Sequence, residues 1–375
     1  MQANLSQKEP HKQQNAQPIG RSRFGRGIAT LSPDYFSLVM ATGIVSIAVH
    51  VFDYLLLARI LFYLNIAAYV VLCFLFIVQI FFYWKRFHSN FLNLETNMGF
   101  LSFVAANCIL GSQFVTISNN FIFGSIFLSI GVLSWIFLIY TLFAIHIEKR
   151  YKPSLKVISG TWLLIVVATQ AISILSVQLA ERLPISFDGV LFFSLLMFLI
   201  GCMFYIILIT LIIYRLLFFE VRAKKLGTPY WISMGADAIT VLAGTSLILI
   251  ADKWAISNDL LPFLKGLTLL FWAIGTWWIP VMILLGIWRH FIKKIPLKYS
   301  SLYWGMVFPL GMYTVCTVKL SHTFDLPYLM SIPSVFLIIS FCTWTLVFLS
   351  MLYSIVNYFL KTKSVKHSTP PKTEA

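Results

Sequence analysis

Apolar blocks of about 20 residues, separated by short charged or turn-rich breaks, follow one another along most of this chain. A helix that crosses the hydrocarbon core of a bilayer needs roughly 20 consecutive apolar residues. Charged residues make up only 11% of the sequence, whereas soluble domains carry about 25%. The pattern therefore predicts an all-α integral membrane protein.

We expect three parts along the 375 residues. Residues 1–32 would form a flexible basic cytoplasmic arm, because they are rich in Gln, Asn, Lys and Arg and lack helical apolar periodicity. Residues 33–358 would form a transmembrane domain, and residues 359–375 a short basic cytoplasmic tail. We place ten spans, at 33–52, 58–83, 97–117, 121–147, 157–180, 190–218, 229–251, 260–288, 301–320 and 329–358.

Lysine and arginine alternate between the breaks in a way that predicts orientation. If the first span runs outward, the cytoplasmic side holds 5 in the arm, then 2, 4, 4 and 4 in the loops, and 4 in the tail. Cytoplasmic loops of membrane proteins carry this excess of positive charge. We therefore expect both termini in the cytoplasm, and we place the protein in the plasma membrane. The net charge of +15 lies in loops, which argues against a nucleic-acid partner.

Odd-numbered and even-numbered spans differ in composition. The odd spans are richer in Gly, Ala, Ser, Thr, Asn and Gln, whereas phenylalanine is concentrated in the even spans. Small and weakly polar side chains permit close helix contact or line a hydrated path, and bulky apolar ones suit lipid. We predict five helical hairpins, with an inner ring of parallel odd helices around a central path. Two packed layers without a pore are the alternative.

Asp237 is the one acid deep within a predicted span. Ser233, Asp237, Thr240 and Gly244 fall on one helical stripe, so we predict that they line the path. A buried carboxylate is costly and marks a functional site, although a protonated aspartate that bonds a neighbouring helix is an equal alternative. We expect no Lys or Arg deep in any span, which favours weak anion contacts or binding by helix dipoles.

The ninth span contains the segment WGMVFPLGMYT. Pro309 has no amide hydrogen and leaves the carbonyl of Gly305 free, so a kink is expected there. Phe308 lies at the kink, where it could block a narrow path or simply pack between helices. Further path candidates on odd spans are Met40, Thr42, Gly43, Asn107 and Gln170, although each of them suits helix packing more than contact with a substrate.

Chemistry other than transport has little support in the sequence. No His, Cys, Asp or Glu residues stand at metal-ligand spacing, and no phosphate loop or nucleophile elbow is present. We predict no catalytic residue, no metal and no cofactor. The five cysteines lie in apolar runs without CxxC spacing, so we interpret them as packing residues.

Four segments carry a family resemblance. SPDYFSLVMATGIVSIA (32–48), PYWISMGADAIT (229–240), GTWWIP (275–280) and YWGMVFPLGMYT (303–314) resemble the tellurite-resistance/dicarboxylate transporter family, whose superfamily includes malic-acid transporters and slow-type anion channels. The resemblance implies ten spans in five hairpins, an anion path, a gating phenylalanine that matches Phe308, and a homotrimer. The third and fifth spans lack the internal proline that the family pattern implies.

The leading hypothesis is transport of a small anion, either a C4-dicarboxylate such as malate or an inorganic anion, through a central path gated by Phe308. One alternative is a proton-coupled dicarboxylate carrier in which Asp237 binds the proton. Another is an integral-membrane enzyme or a sensor without a pore. The sequence leaves open which anion moves and in which direction.

Overall fold

The computed structural model describes residues 23–149, 155–220, 223, 226–254 and 257–364. These residues form α-helices joined by short turns and contain no β-strand, which confirms the all-α prediction. The helices are α1 Arg23–Ala29, α2 Phe36–Val51, α3 Leu55–Phe82, α4 Trp84–Phe91, α5 Leu101–Ser118, α6 Phe121–Glu148, α7 Leu164–Leu179, α8 Phe187–Phe218, α9 Ile232–Leu249, α10 Ser257–Ile287, α11 Trp304–Phe324 and α12 Ser331–Ser364.

Nine helical segments of the described chain are long and apolar enough to cross a membrane. They correspond to every predicted span except the ninth, whose helix α11 has sufficient length, 21 residues, but carries Lys319 and several Thr and Gly residues. The structure is therefore that of a multi-pass membrane protein, and ten crossings stay a prediction.

The helices form two layers that differ sharply in burial. Within an apolar 18-residue stretch of each helix, 78 to 89% of the residues are buried in one layer, which contains α2, α5, α7 and α9 with their N-terminal turns. The buried share is 22 to 44% in the other layer, which contains α3, α6, α8, α10 and α12. Helix α11 belongs to the buried layer, because 16 of its 21 residues are buried. Bulky apolar side chains on the second layer remain exposed, as lipid contact allows.

The five buried helices close a ring. α2 packs on α5, α5 on α7, α7 on α9, α9 on α11, and α11 returns to α2. Each of them also packs against the long helix that follows it in the chain, so that α3, α6, α8, α10 and α12 lie outside the ring. We call the two sets the inner and the outer helices.

Short turns join inner to outer helices, and residues with positive φ make three of them. Asn119 ends α5 at φ 51°, and the side chain of Asn120 then accepts a hydrogen bond from Phe123 N at 3.1 Å to begin α6. Asp53 and Asp325 adopt φ of 63° and 53° after α2 and α11. Asn and Asp tolerate this left-handed conformation better than other non-glycine residues, which is why the chain reverses at these points.

The predicted arm and tail are only partly described. Residues 1–22 and 365–375 lie outside the described residues. Residues 23–29, which we expected to be flexible, form α1 against α3. Gln79 of α3 fixes the end of α1 by donating to the carbonyls of Ala29 and Leu31, at 3.4 and 3.0 Å. The short helix α4, Trp84–Phe91, was not predicted and lies in the loop after α3.

Candidate functional site

Two cavities open at opposite ends of the inner ring. The first, which we call the C-side cavity, has a volume of about 540 Å³ and is lined by the C-terminal halves of all five inner helices. Its walls are mainly apolar, with one representative per helix being Ile44, Ile109, Ile174, Leu242 and Val315. Because every inner helix contributes its C-terminal half to this one cavity, the five helices run parallel.

The second cavity, which we call the N-side cavity, lies at the N-terminal turns of the inner helices. It has a volume of about 450 Å³, and its wall is more polar than that of the C-side cavity. The residues before or at the start of the inner helices line it, among them Asp34, Thr96, Ser159, Thr228 and Ser300. A narrow extension of about 10 Å³ continues inward past Ser37, Leu164, Ile232 and Gly305.

Phe308 lies between the two cavities on the lining face of α11. It follows Gly305 of the narrow extension by three residues and precedes Met312 of the C-side cavity by four. Residues with this spacing share one helical face. The ring of Phe308 is 1% exposed and touches α9, where a Cβ built on Gly235 would stand 3.3 Å from Phe308 Cδ1 and 2.8 Å from Pro309 Cγ.

Met40 occupies the corresponding position on α2. It follows Ser37 by three residues and precedes Ile44 by four, and it is 1% exposed. The same spacing on α9 selects Gly235, between Ile232 and Ile239. Helical spacing therefore assigns Met40, Gly235 and Phe308 to one layer that separates the cavities.

Asp237 faces away from both cavities. Its Oδ2 accepts a hydrogen bond of 2.6 Å from the hydroxyl of Tyr205 on α8, and that hydroxyl also accepts one of 3.2 Å from Trp278 Nε1 on α10. Asp237 Oδ1 is buried without a hydrogen-bond partner, and the carboxylate lies against Gly275. The structure places this side chain between the inner helix α9 and two outer helices, which agrees with the alternative of a bond to a neighbouring helix rather than with a position in the path.

The other members of the predicted stripe share this orientation or are closed off. A Cβ built on Gly244 would overlap Thr268 Oγ1 of α10 and stand 3.3 Å from Phe198 of α8. Thr240 donates to the carbonyl of Ala236 within its own helix. Ser233 is fully buried, its hydroxyl has no hydrogen-bond partner, and like the other two it lines neither cavity. Asp237 and Gly244 therefore face the outer helices, whereas Ser233 and Thr240 are buried without lining either cavity.

Polar candidates on the remaining inner helices also bond the outer layer. Thr42 accepts a hydrogen bond of 3.0 Å from Trp344 Nε1 of α12, and Asn107 accepts one of 2.7 Å from the hydroxyl of Tyr69 on α3. Gln170 donates to the carbonyl of Phe198 on α8 at 3.0 Å. Gly43 permits close packing, since a Cβ there would stand 2.6 Å from Ile109 Cγ2. Such bonds join helices within a membrane.

Basic residues near the cavities are the site features that the sequence did not predict. Arg215 lines the N-side cavity and is only 5% exposed, although we had counted it among the cytoplasmic loop cations. Because Arg215 lies in the last turn of α8, the expectation that no Lys or Arg lies deep in a span stays a prediction. Composition does not distinguish a loop cation from one at a helix end whose side chain turns inward, so the sequence did not single out Arg215.

Two lysines line the C-side cavity. Lys253 pairs with Glu181, with 2.5 Å between Nζ and Oε1, and both side chains are largely exposed. This hydrogen bond and the charge of Lys253 lower the pKa of Glu181. Lys319 has no acidic partner among the described residues. The described chain contains no group of three His, Cys, Asp or Glu residues that could hold a metal ion, and its five cysteines are free.

Apolar helices in two layers, with a cavity at each end of the inner ring, define a multi-pass membrane transport protein. Residues 30–352 match the family model described as voltage-dependent anion channel, SLAC1. The chain belongs to this family of anion channels and transporters. The match includes all five inner helices and both cavities.

Curated relatives agree with the family assignment. An uncharacterized membrane protein of Mycobacterium tuberculosis is 39% identical over 150 residues, which is 40% of this chain and 75% of the relative. An uncharacterized transporter of Methanocaldococcus jannaschii is 24% identical over 296 residues, 76% of this chain and 82% of the relative. A second uncharacterized transporter of that organism is 23% identical over 300 residues, 77% and 84% of the two chains.

Proposed function

We propose that this protein conducts small anions across the plasma membrane through the centre of its inner ring, and that Phe308 closes the path between the two cavities. The observation that carries the proposal is the position of Phe308, which is buried on the lining face of α11 between Gly305 and Met312. An aromatic ring at a constriction blocks ions by steric exclusion and by dewetting. The anionic substrate is inferred from the family, which is one of anion channels and transporters.

Phe308→Ala is the direct test, in proteoliposomes loaded with chloride, nitrate or malate. Removing the ring opens a channel between the cavities, so anion flux should rise by about tenfold or more. Phe198→Ala is the matched control, because Phe198 is equally buried but packs between α8 and α9. Equal flux in wild type and Phe308→Ala, with both variants folded, would refute the gate.

A proton-coupled dicarboxylate carrier with Asp237 as the proton site is the second candidate. Its support is the buried carboxylate, which has a hydroxyl donor on one oxygen and none on the other. The position of Asp237 outside both cavities favours the channel. If Asp237→Asn abolished malate uptake driven by a pH gradient and left passive flux intact, the carrier would replace the channel. The family is one of transporters and channels, which disfavours an enzyme or a pore-less sensor.

We also propose cytoplasmic termini and a homotrimer. The orientation rests on the excess of Lys and Arg at the breaks on the N-side of the inner ring. The N-side cavity would then open to the cytoplasm. Labelling of Lys85→Cys, in the loop after α3, by a thiol reagent from the inside but not from the outside of intact cells would support this orientation.

The homotrimer rests on the family resemblance. A mass determination of the protein in native lipid would test it.

A further inference from the structure

Two arginines from outer helices reach around the start of the inner helix α9. Arg215, in the last turn of α8, donates through Nη1 to the hydroxyl of Tyr230 at 2.6 Å and to the carbonyl of Ile158. Arg289, in the π-helical turn after α10, donates through Nη1 to the carbonyl of Leu226 at 2.8 Å. Both guanidinium groups therefore hold the same five-residue segment, and both line the N-side cavity.

These bonds leave most of the donors of the two arginines unused. A guanidinium group has five N–H donors, but the hydrogen bonds of both side chains use Nη1 alone. Arg289 Nε is buried without a partner. A structural role as a clamp on α9 needs one nitrogen from each side chain and does not explain the donors that remain.

The wall of the N-side cavity also carries more basic than acidic side chains. Neither arginine forms an ion pair with an acidic residue in the described part of the chain, although Asp34 and Glu95 line the same cavity. Lys298 adds a third positive charge to the wall. Arg215 is buried whereas Arg289 is half-buried. A buried cation without an ion-pair partner is destabilising, and an anion beside it offsets that cost.

The rest of the wall of the N-side cavity is also suited to binding an anion. The hydroxyls of Ser159, Thr161, Thr228 and Ser300 line it. The N-terminal turns of α7, α9 and α11 begin there, and their backbone N–H groups and dipoles attract negative charge. The volume of about 450 Å³ lies within the range of about 300 to 1,000 Å³ that is usual for small-molecule sites.

We propose that the N-side cavity is a recognition site for a planar oxyanion, a carboxylate or nitrate, held by Arg215 and Arg289 before it reaches Phe308. The planar fork of a guanidinium group matches two oxygens of such an anion, whereas a spherical halide can use only the charge. The site makes the protein select oxyanions over halides. This inference rests on the proposed anion path for its role in transport, but binding itself does not require flux.

Binding is tested on the purified full-length protein in lipid nanodiscs. Chloride is replaced by nitrate or acetate at constant ionic strength, and the thermal midpoint is followed against concentration. Wild type should be stabilised by nitrate and acetate relative to chloride, because a ligand that binds only the folded state raises the midpoint. In Arg289→Lys, which keeps the charge but loses the fork, the apparent Kd should rise by tenfold or more.

Arg215→Lys should weaken the binding of nitrate and acetate in the same way. If the Arg215 variant does not fold, the Kd values of Arg289→Lys alone test the proposed site. Arg182→Gln is the matched control, because Arg182 stacks on Phe121 near the opposite end of the ring and lines neither cavity. Its Kd values for nitrate and acetate should equal those of wild type. Unchanged binding in a folded Arg289→Lys would overturn the proposal.

Flux separates this proposal from the proposed function. In proteoliposomes the nitrate-to-chloride permeability ratio should fall at least threefold in Arg289→Lys, while chloride flux persists. If no anion moves through any variant but arginine-dependent acetate binding remains, the site stands and the path is refuted. If flux persists and neither the ratio nor acetate binding changes in the arginine variants, the path stands and the site is refuted.

Discussion

The two faces of an inner helix carry opposite kinds of side chain. On α9 the face toward the cavities carries Ile232, Ile239 and Leu242, whereas the face toward the outer helices carries Asp237 and Gly244. The same division holds on α2 and α7, where Thr42 and Gln170 bond outer helices. The buried polar residues Asp237, Thr42 and Gln170 therefore mark the contact between layers. The C-side cavity is mainly apolar, although Ser112, Thr116, Gln178 and Ser246 also line it.

The largest effect on folding is expected from a glycine at the layer contact. Gly244→Ala would bring a Cβ into overlap with Thr268 Oγ1 and close to Phe198. Overpacking costs about 1 to 3 kcal/mol, and the overlap with Thr268 Oγ1 puts this variant at the upper end of that range. The thermal midpoint should therefore fall while flux per folded molecule stays unchanged. Adding Thr268→Ala should restore most of the loss. Normal stability in Gly244→Ala would contradict the assignment of this face to packing.

Gly235→Ala tests the opposite face of the same helix. Its Cβ would stand 2.8 Å from Pro309 Cγ and 3.3 Å from Phe308 Cδ1, so Pro309 and Phe308 must shift by a few tenths of an ångström. We expect anion flux to change by about threefold or more with a smaller change in midpoint than in Gly244→Ala. The test measures anion flux and thermal unfolding on the same preparations of wild type and Gly235→Ala. Equal flux in the two proteins would show that Gly235 is not part of the constriction.

The hydrogen bond between Tyr205 and Asp237 gives a smaller expected effect. Tyr205→Phe removes a 2.6 Å bond between layers and leaves both carboxylate oxygens without a donor, so it should cost about 1 to 2 kcal/mol in an unfolding assay. Flux should be unchanged, since Asp237 lies outside the cavities. Asp237→Asn in the Tyr205→Phe background should then cost little more. A large loss of flux in Tyr205→Phe would bring Asp237 back into the transport path.

The exposed pair of Lys253 and Glu181 should matter least. Because its pKa is lowered in the folded protein, Glu181 stabilises the fold above its unfolded pKa, and this contribution is lost as pH falls through its folded pKa. Both residues are largely exposed, so Glu181→Gln should shift the midpoint only marginally, and less at high salt. A shift as large as that of Tyr205→Phe would contradict this ranking.

Much of the fold could be predicted from the sequence, because hydrophobic length and loop charge are properties of whole segments. The predicted spans begin and end within a few residues of most observed helices, and the contrast between odd and even spans matches the two layers. The facing of single side chains could not be predicted. The spacing of Ser233, Asp237 and Gly244 identifies a stripe, but the same stripe suits a path or a neighbouring helix.

The positions of the Phe308 and Arg215 side chains also could not be predicted from the sequence. Phe308 could be located at the kink beside Pro309, but its position between two cavities depends on all five inner helices. Arg215 resembled an ordinary loop cation, and only the fold turns its side chain inward toward Tyr230. Packing between helices that are distant in sequence determines where both side chains lie. This packing could not be predicted from the sequence alone.

Closure of the inner ring brings the first and last hairpins together. α2 packs on α11 and α12, and a Cβ built on Gly27 of α1 would stand 3.9 Å from the Tyr358 hydroxyl of α12. The described ends of the chain are thus neighbours, and the starting point of the sequence is arbitrary with respect to the ring. A circularly permuted chain that begins at the second hairpin, with its original ends joined, could assemble the same five pairs in the same cyclic order.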